Sequence, residues 1–233
     1  MKKIDRSFRR VLRAGVFRGI WLSSCLVFSG GCALTHPVPK PAHQEAATTG
    51  NNAFNAAPQL PPELKRVAFL PATAEAAGDS SDGLAVLEPV LRQELSRTGR
   101  FEMVPVTHEQ LREWTGRVQW KTVDQLPADF FQKIREKTGC NAVFFSHLTH
   151  YHAYPPIVIG WRLALVDGSE PRTRWAVDEF YDGGDEAIAK AARLYNAKHL
   201  PSQPMGDPSV VLGSPRRFGQ FVTSALLGTL PVR

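Results

Sequence analysis

The spacing of apolar side chains after residue 64 predicts a domain in which strands and helices alternate. Residues 65–71, KRVAFLP, form a short apolar run that ends at a proline, as is typical of a buried strand. Leucines then recur at steps of three and four residues, which predicts a helix that Asp82 caps and Gly99 ends. Pro89 interrupts this pattern, so the regular part of the helix is expected to begin at about Glu88.

A second strand and two shorter helices are predicted next. Residues 101–106 alternate between apolar and polar positions, which favours a strand. Thr107 and Gln110 have the spacing of a capping box at the start of a short helix. A third helix is predicted from about Pro127 to Lys137, and Gly139 follows it as a stop signal.

The following part of the chain is richer in strands. Residues 141–148 begin as an almost continuous apolar run, which predicts a central strand. Two alternating stretches, 157–166 and 173–181, predict a hairpin across the polar turn between them. Helices are predicted over about 185–199 and 215–230. We therefore predict an α/β (α+β) fold, a mixed β-sheet flanked by helices in the order β-α-β-α-α-β-β-β-α-α.

The first 31 residues have the order of a secretory signal. Seven basic side chains precede or flank an apolar stretch over residues 19–28, and small residues lie directly before Cys32. The apolar stretch is about half as long as a bilayer-spanning helix requires, so a permanent transmembrane anchor is the weaker interpretation. Residues 1–31 are therefore predicted to be a lipoprotein signal peptide, with Cys32 as the lipidated residue.

The segment before Cys32 resembles the lipobox of bacterial lipoproteins. Gly30 and Gly31 match the small residues that this motif has before its cysteine, whereas Ser29 stands where an aliphatic residue is usual. Cys25 has the better local match, but the apolar stretch before it is shorter than the roughly 7–15 residues of a signal core. We favour Cys32, and cleavage by an ordinary signal peptidase or an uncleaved signal are the alternatives.

The positive charge of the whole chain comes from this signal. The chain has 28 Lys and Arg against 22 Asp and Glu, and residues 1–31 hold seven of the basic side chains and one acidic side chain. The mature chain therefore keeps 21 of each sign, and its formal net charge is zero. This balance does not support binding to nucleic acid. With Cys32 lipidated, Cys140 has no partner for an intramolecular disulfide.

Composition also predicts how the mature chain is organised. Residues 33–62 contain six prolines among Ala, Thr, Gly and Asn, and they lack the apolar density of a packed core. Residues 32–64 are therefore predicted to be the lipidated cysteine and a flexible tether. Residues 65–233 are long enough for a single domain with its own core.

Four phrases of the sequence together resemble a known superfamily. They are RVAFLP, LRQELSRTGRFEMVPV, KTGCNAVFFSHL and WRLALVDGSEPRTRWAVDEF, and they follow the lipidated cysteine and the tether. In this order they are similar to the superfamily of LpoB, the lipoprotein activator of penicillin-binding proteins, of the curli secretion lipoprotein CsgG and of the N-terminal domain of TolB. The resemblance implies an LpoB/CsgG-like α/β domain without a catalytic signature.

The residues that could carry chemistry have ordinary explanations. His147, His150 and His152 lie close together, and the last two would face the same way on a strand, as a metal pair does. No Cys or carboxylate with ligand spacing joins them, so a solvated strand end is favoured. Cys140 is expected to pack in the core, and the acidic residues 178–186 fit a strand end followed by a helix N-terminus. We expect no enzyme activity, no metal and no cofactor.

Two classes of function fit these observations. In the first, the protein is a non-enzymatic lipoprotein of the outer membrane that carries palmitate, faces the periplasm and binds a protein of the cell-wall or secretion machinery. Ala33 after Cys32 is consistent with sorting to the outer membrane. In the second, it is a structural subunit of a CsgG-like export channel. The second class needs a lipid-facing apolar row, and the charged side chains of the 157–181 hairpin argue against one.

Aromatic side chains in loops mark where such a partner would bind. Rings in exposed loops commonly anchor protein interfaces, so partner binding is predicted at Trp114, Trp120, Tyr151 and Tyr154. Packing beneath a loop is the alternative for each of these rings.

Overall fold

Seven strands and five α-helices are formed by the described residues 52–75, 80–199 and 207–233 of the computed structural model. The strands are β1 (Ala53–Asn55), β2 (Arg66–Phe69), β3 (Thr73–Ala74), β4 (Glu102–Pro105), β5 (Ala142–His152), β6 (Val158–Asp167) and β7 (Arg172–Asp182). The helices are α1 (Ser80–Arg97), α2 (His108–Thr115), α3 (Phe130–Thr138), α4 (Glu186–His199) and α5 (Pro215–Leu227), and a 3-10 helix covers Pro208–Gly213. The predicted signal peptide, Cys32 and the predicted tether up to residue 51 lie outside the described residues.

The strands form one mixed sheet in the order β1-β7-β6-β5-β2-β4. Strands β4, β2 and β5 are parallel to one another, and β5, β6, β7 and β1 are antiparallel. Strand β3 pairs with β5 in parallel, beyond the end of β2. The predicted α+β class is confirmed, and the predicted order of elements is right apart from the two short strands β1 and β3.

Each face of the sheet has its own hydrophobic core. On the first face, α1, α4 and α5 pack on side chains such as Trp161 and Trp175, which are fully buried. On the second face, α2, α3 and the loop between them pack on residues such as Phe145 and Val143, which belong to β5. The first seven residues of β5 are all buried, as a central strand between two layers requires.

Helix α1 does not begin at Glu88 as predicted, because it runs without interruption from Ser80 to Arg97. Pro89 lies inside the helix and has no N–H to donate to the carbonyl of Ala85. Both residues are exposed, so water can satisfy that carbonyl. The exposed position removes most of the reason for the helix to break there.

The predicted boundary of the tether at residue 64 is wrong, because residues 52–64 lie against the domain. Strand β1 pairs with β7, with Phe54 opposite Ala176. Leu60 and Leu64 are buried in the core of the first face, and the amide of Leu60 donates to the carbonyl of Val232 at 2.8 Å. A three-residue strand among prolines carries too little periodicity to be recognised from sequence.

None of the helices in the described ranges combines the length and the hydropathy that crossing a membrane requires.

Candidate functional site

Among the described residues, helices cover the second face of the sheet over only part of its width. Helices α2 and α3 pack over β4, β2 and β5, whereas the second face of β6, β7 and β1 lies beside them. Along β6 and β7, buried side chains of the first face alternate with side chains of the second face, because successive residues of a strand point to opposite sides. We call the second face of β6, β7 and β1 the open face; its central residues are Arg162, Ala164, Ala176, Asp178 and Phe54.

The strand register arranges the open face in rows. Arg162 lies opposite Asp178, and its Nε and Nη2 each approach Asp178 Oδ2 at 2.7 Å. In the neighbouring row, Ala164 lies opposite Ala176, which in turn lies opposite Phe54. An ion pair therefore lies beside a strip of two small apolar side chains that ends at an aromatic ring.

A cleft with a volume of about 470 Å³ opens above this strip. Its floor includes Ala164 and Ala176, and Leu126 and Phe131, from the loop and helix that cover the rest of the second face, form one wall. Phe54 also lines it. Because the floor is made of alanines, the cleft can accept an apolar side chain of another molecule.

Two large apolar rings are exposed on this side of the sheet. Phe54 is 53% exposed and Phe180 is 60% exposed. Phe180 lies opposite Gly160, and its ring centroid is 5.4 Å from that of His150. Exposed apolar patches with polar neighbours are common at sites of protein association.

A hydroxyl, an imidazole and a carboxylate meet at the edge of this region. The Thr73 hydroxyl lies 2.8 Å from His147 Nδ1, and His147 Nε2 lies 2.9 Å from Glu75 Oε1. His147 Nε2–H donates to the Glu75 carboxylate, and the single proton of the Thr73 hydroxyl lies within reach of both His147 Nδ1 and the Ser146 carbonyl, the latter at 3.3 Å. The hydrogen bond with His147, followed by the charge of Lys121, holds the pKa of Glu75 below its usual value.

Thr73, His147 and Glu75 have the same kinds of functional group as a catalytic triad, but the hydroxyl is not accessible to a substrate. Thr73 is 3% exposed and His147 is 5% exposed, so a substrate carbonyl cannot approach the hydroxyl. The contacts instead connect β3 to β5. We interpret the three residues as a polar connection between two strands.

His150 and His152, the pair considered as metal ligands, are both exposed near the end of β5. His150 Nδ1 lies 3.1 Å from the Thr149 hydroxyl, and His152 Nδ1 lies 3.1 Å from the Pro156 carbonyl, to which it donates. In the described ranges, no three His, Cys, Asp or Glu side chains converge in a geometry that would hold a metal ion.

Four of the five acidic residues at positions 178–186 have a local partner. Asp178 pairs with Arg162, and Glu179 accepts a hydrogen bond from the amide of Asn52 at 3.1 Å. Asp182 accepts from the amide of Gly184, and Asp185 accepts from two amides in the first turn of α4. These contacts agree with the interpretation as a strand end and a helix N-terminus.

Trp120 does not lie on an exposed loop surface, contrary to the prediction. It is 5% exposed, and its indole N–H donates to the Thr115 hydroxyl at 2.8 Å. Its ring meets the edge of Phe130 with the centroids 5.7 Å apart, and the guanidinium of Arg117 lies over it at 4.3 Å. A ring enclosed in this way is a packing residue and cannot serve as an exposed interface anchor.

The other three aromatic residues chosen from the sequence lie in different places. Trp114 is half-buried against the core of the second face, whereas Tyr151 is half-buried against the core of the first face. Tyr154 is 72% exposed in the loop after β5. The four residues do not form one surface, and partner binding at Tyr154 stays a prediction.

Cys140 is buried, as the sequence predicts for a core residue. Burial raises the pKa of its thiol, which lowers the fraction of reactive thiolate.

Sequence reasoning missed Phe54 and Phe180 as surface residues. Alternation in the predicted hairpin does place Phe180 on the face opposite Trp175 and Tyr181. What the pattern does not show is that the helices of the second face cover only half of the sheet. The two helices predicted for that face are short, and their length could have indicated that they leave part of the sheet uncovered.

No protein family model matches this chain, and no curated protein matches it. Among solved structures, it is similar to a PelC dodecamer from Paraburkholderia phytofirmans, with 13% identity and a TM-score of 0.38 over 78% of this chain and 96% of that one.

Two further solved structures are similar at the same low level. Lipoprotein GNA1162 from Neisseria meningitidis has 16% identity and a TM-score of 0.37, and the match covers 58% of this chain and 98% of that one. The LpoB C-terminal domain from Salmonella enterica has 13% identity and a TM-score of 0.34, over 51% and 83% of the two chains. The superfamily named from the sequence stays a prediction.

Proposed function

We propose that the mature protein is a non-enzymatic lipoprotein, anchored in the outer membrane and facing the periplasm, that binds another protein of the envelope machinery. The export signal before Cys32 and the tether after it support the location. Attachment at one end of a flexible segment raises the concentration of the domain near other envelope proteins without requiring any new contact.

The observation that carries the proposal is the open face of the sheet. Phe54 and Phe180 together expose on the order of 200 Å² of ring surface, given the area that a Phe side chain buries in a core. At about 25 cal/mol per Å², covering that area contributes about 5 kcal/mol before the costs of association are subtracted. The cleft beside Phe54 adds a concave surface that matches a protruding side chain.

A matched pair of variants tests whether this face binds the partner. Phe54→Ser changes a ring that is 53% exposed on the open face, and Leu194→Ser changes a side chain that is 60% exposed on α4, which covers the first face. Full-length protein carrying either change is crosslinked in cells and its adducts are compared with those of the unmodified protein. We expect Phe54→Ser to lose the main adduct and Leu194→Ser to keep it. Equal adducts from both variants would show that the open face is not the binding surface.

A separate measurement tests the non-enzymatic part of the proposal. Purified protein is incubated with peptidoglycan in the presence of divalent cations, and soluble products are analysed by mass spectrometry. We expect no products. Hydrolysis that disappears in His150→Ala would contradict the proposal and would support metal binding by the histidines.

The export-channel alternative has less support from the hairpin of β6 and β7. These strands have 10 and 11 residues, which suits a membrane-crossing strand. However, the first face of the hairpin lies under helices, and its open face carries the Arg162–Asp178 ion pair. The hairpin therefore offers no row of apolar side chains to lipid.

A further inference from the structure

The outer edge of β7 is paired along only part of its length by the residues that the structure describes. Strand β1 pairs with residues 175–177 of β7, and the amide of Asp178 donates to the carbonyl of Asn52 at 3.3 Å. Asn52 itself lies in a turn. No strand among the described ranges pairs with residues 179–182 on this side.

Alternation along β7 identifies the backbone groups that point to this edge. The carbonyl of Arg174 accepts from Ala56 and the amide of Asp178 donates to Asn52, so the even-numbered residues direct their backbone groups toward β1. The pairing with β6 is regular from residue 175 to residue 182, so the alternation continues. The N–H and C=O of Phe180 therefore point outward at the edge, beside a side chain that is 60% exposed.

An outward N–H and C=O on an edge strand form a template for an added strand. The charge around this edge indicates which strand it would accept. Residues 178–186, DEFYDGGDE, contain five carboxylates and no Lys or Arg. A second copy of the chain is disfavoured, because pairing through Phe180 would bring the acidic residues 179–186 of the two copies together. A basic strand has the complementary charge.

We propose that the β7 edge at Phe180 accepts an extended segment of the partner protein as an added strand. This inference rests on the proposed function and names the chemistry of its partner. On the open face the added strand meets Phe180 and Asp182, which are two residues apart. The edge position beside Asp178 is already occupied by Asn52, and the Asp178 carboxylate pairs with Arg162. The segment that fits therefore has an apolar residue opposite Phe180 and Lys or Arg opposite Asp182.

Photo-crosslinking in cells tests which molecule occupies the edge. Benzoylphenylalanine is placed at position 180 of the full-length protein, and position 194 on α4 serves as the control. We expect an adduct at position 180 whose peptide comes from another envelope protein and contains a basic residue two positions from an apolar one.

Three results would overturn the inference. The first is an adduct with a second copy of the chain, and the second is an adduct with residues of the same chain that precede Asn52. The third is an adduct yield at position 180 that is no higher than the yield at position 194. If the Phe54-dependent partner is still captured in any of these cases, the proposed function survives and only the edge assignment fails.

Binding of a defined peptide tests the charge and the backbone contact separately. The probe is a synthetic peptide with the central sequence Lys-Thr-Val-Thr-Lys, and its counterpart has Glu in place of both Lys. Full-length protein in detergent micelles is titrated with each peptide while fluorescence anisotropy is measured. We expect at least tenfold tighter binding of the Lys peptide, and a preference that weakens as the salt concentration rises. Equal affinities of the two peptides would contradict the inference.

Two variants separate the roles of the N–H and of the carboxylates. Phe180→Pro removes the outward N–H, and proline is tolerated on edge strands, so we expect a tenfold or greater loss of affinity for the Lys peptide. Asp182→Asn keeps an oxygen for the Gly184 amide and removes only the charge, so a loss of about threefold is expected.

Hydrogen exchange provides a readout that does not depend on either variant. The Phe180 amide should exchange at least tenfold more slowly when the Lys peptide is saturating. An unchanged exchange rate, or undiminished binding by a folded Phe180→Pro protein, would refute the added strand.

Discussion

Replacing Trp120 with alanine is expected to lower the stability of the domain and not to remove a contact with a partner. The side chain is 5% exposed, so nearly the whole ring, on the order of 200 Å², is removed from water. At about 25 cal/mol per Å² this burial corresponds to about 5 kcal/mol, and measured Trp→Ala changes in cores are roughly 3–5 kcal/mol. We therefore expect the free energy of unfolding to fall by about 3–5 kcal/mol.

A second substitution at the same position separates ring packing from the polar contact. Trp120→Phe keeps a ring against Phe130 but removes the hydrogen bond to the Thr115 hydroxyl. That hydroxyl still donates to the carbonyl of Leu111 at 2.7 Å, so it is not left without a partner. The expected loss is about 1–2 kcal/mol, from one hydrogen bond and a small void.

Urea unfolding followed by tryptophan fluorescence and circular dichroism measures both effects. The unfolding midpoint should fall in the order wild type, Trp120→Phe, Trp120→Ala, while the slope with denaturant stays constant. Partner capture below the midpoint should be unchanged. An unaltered midpoint for Trp120→Ala, together with lost partner capture, would show that the ring is an interface anchor after all.

Three further predictions concern the anchor, the core and the hairpin turn. Metabolic labelling with a palmitate analogue should mark the wild type and not Cys32→Ala, which should become soluble; equal labelling of both would favour Cys25 or exclude lipidation. Leu95→Ala truncates a side chain that is 1% exposed and should lower the free energy of unfolding by about 2–5 kcal/mol. Gln93→Ala, at an exposed position of the same helix, should change it by less than about 0.5 kcal/mol. Similar unfolding midpoints for the two variants would mean that Leu95 does not face the core. Burial of Asp167 opposes its ionisation, but hydrogen bonds from Arg174 and from the amides of Ser169 and Glu170 outweigh burial and lower its pKa. The lowered pKa of Asp167 contributes stability above the pKa of the unfolded chain, and this contribution is lost as the pH falls through the lower folded-state pKa. Asp167→Asn should therefore cost about 1–3 kcal/mol at pH 7 and progressively less in acid, and a cost that does not change with pH would refute the argument.

The regular part of the fold was accessible from the sequence because it depends on local periodicity. Alternation along the 157–166 and 173–181 stretches predicted β6 and β7 to within one residue at most ends, and the buried run after Asn141 predicted β5. The capping box of Thr107 and Gln110 is present in the structure. Each of these signals lies within a few residues of the element that it predicts.

What the sequence did not show depends on contacts between distant residues. Trp120 stands among polar residues in a loop, and its burial results from Phe130 in the next helix. Arg97 lies on the exposed side of α1, but it pairs at 2.6 Å with Glu94, whose side chain is only 8% exposed. Replacing Arg97 would therefore leave a buried carboxylate without this partner, and Gln93 is the better neutral control.

The contacts between the two ends of the described chain have a mechanical consequence. Gln59 pairs with Val232, and the guanidinium of Arg233 donates to the carbonyls of Leu64 and Arg100. Tension applied from an attachment at the N-terminus reaches β1 and these contacts before it reaches strand β2. Pulling would thus first separate residues 53–64 from β7 and from the C-terminal residues, while the sheet between β4 and β6 stays intact. The C-terminal residues 230–233 would then set the force that the attachment withstands, although they lie farthest from it in sequence.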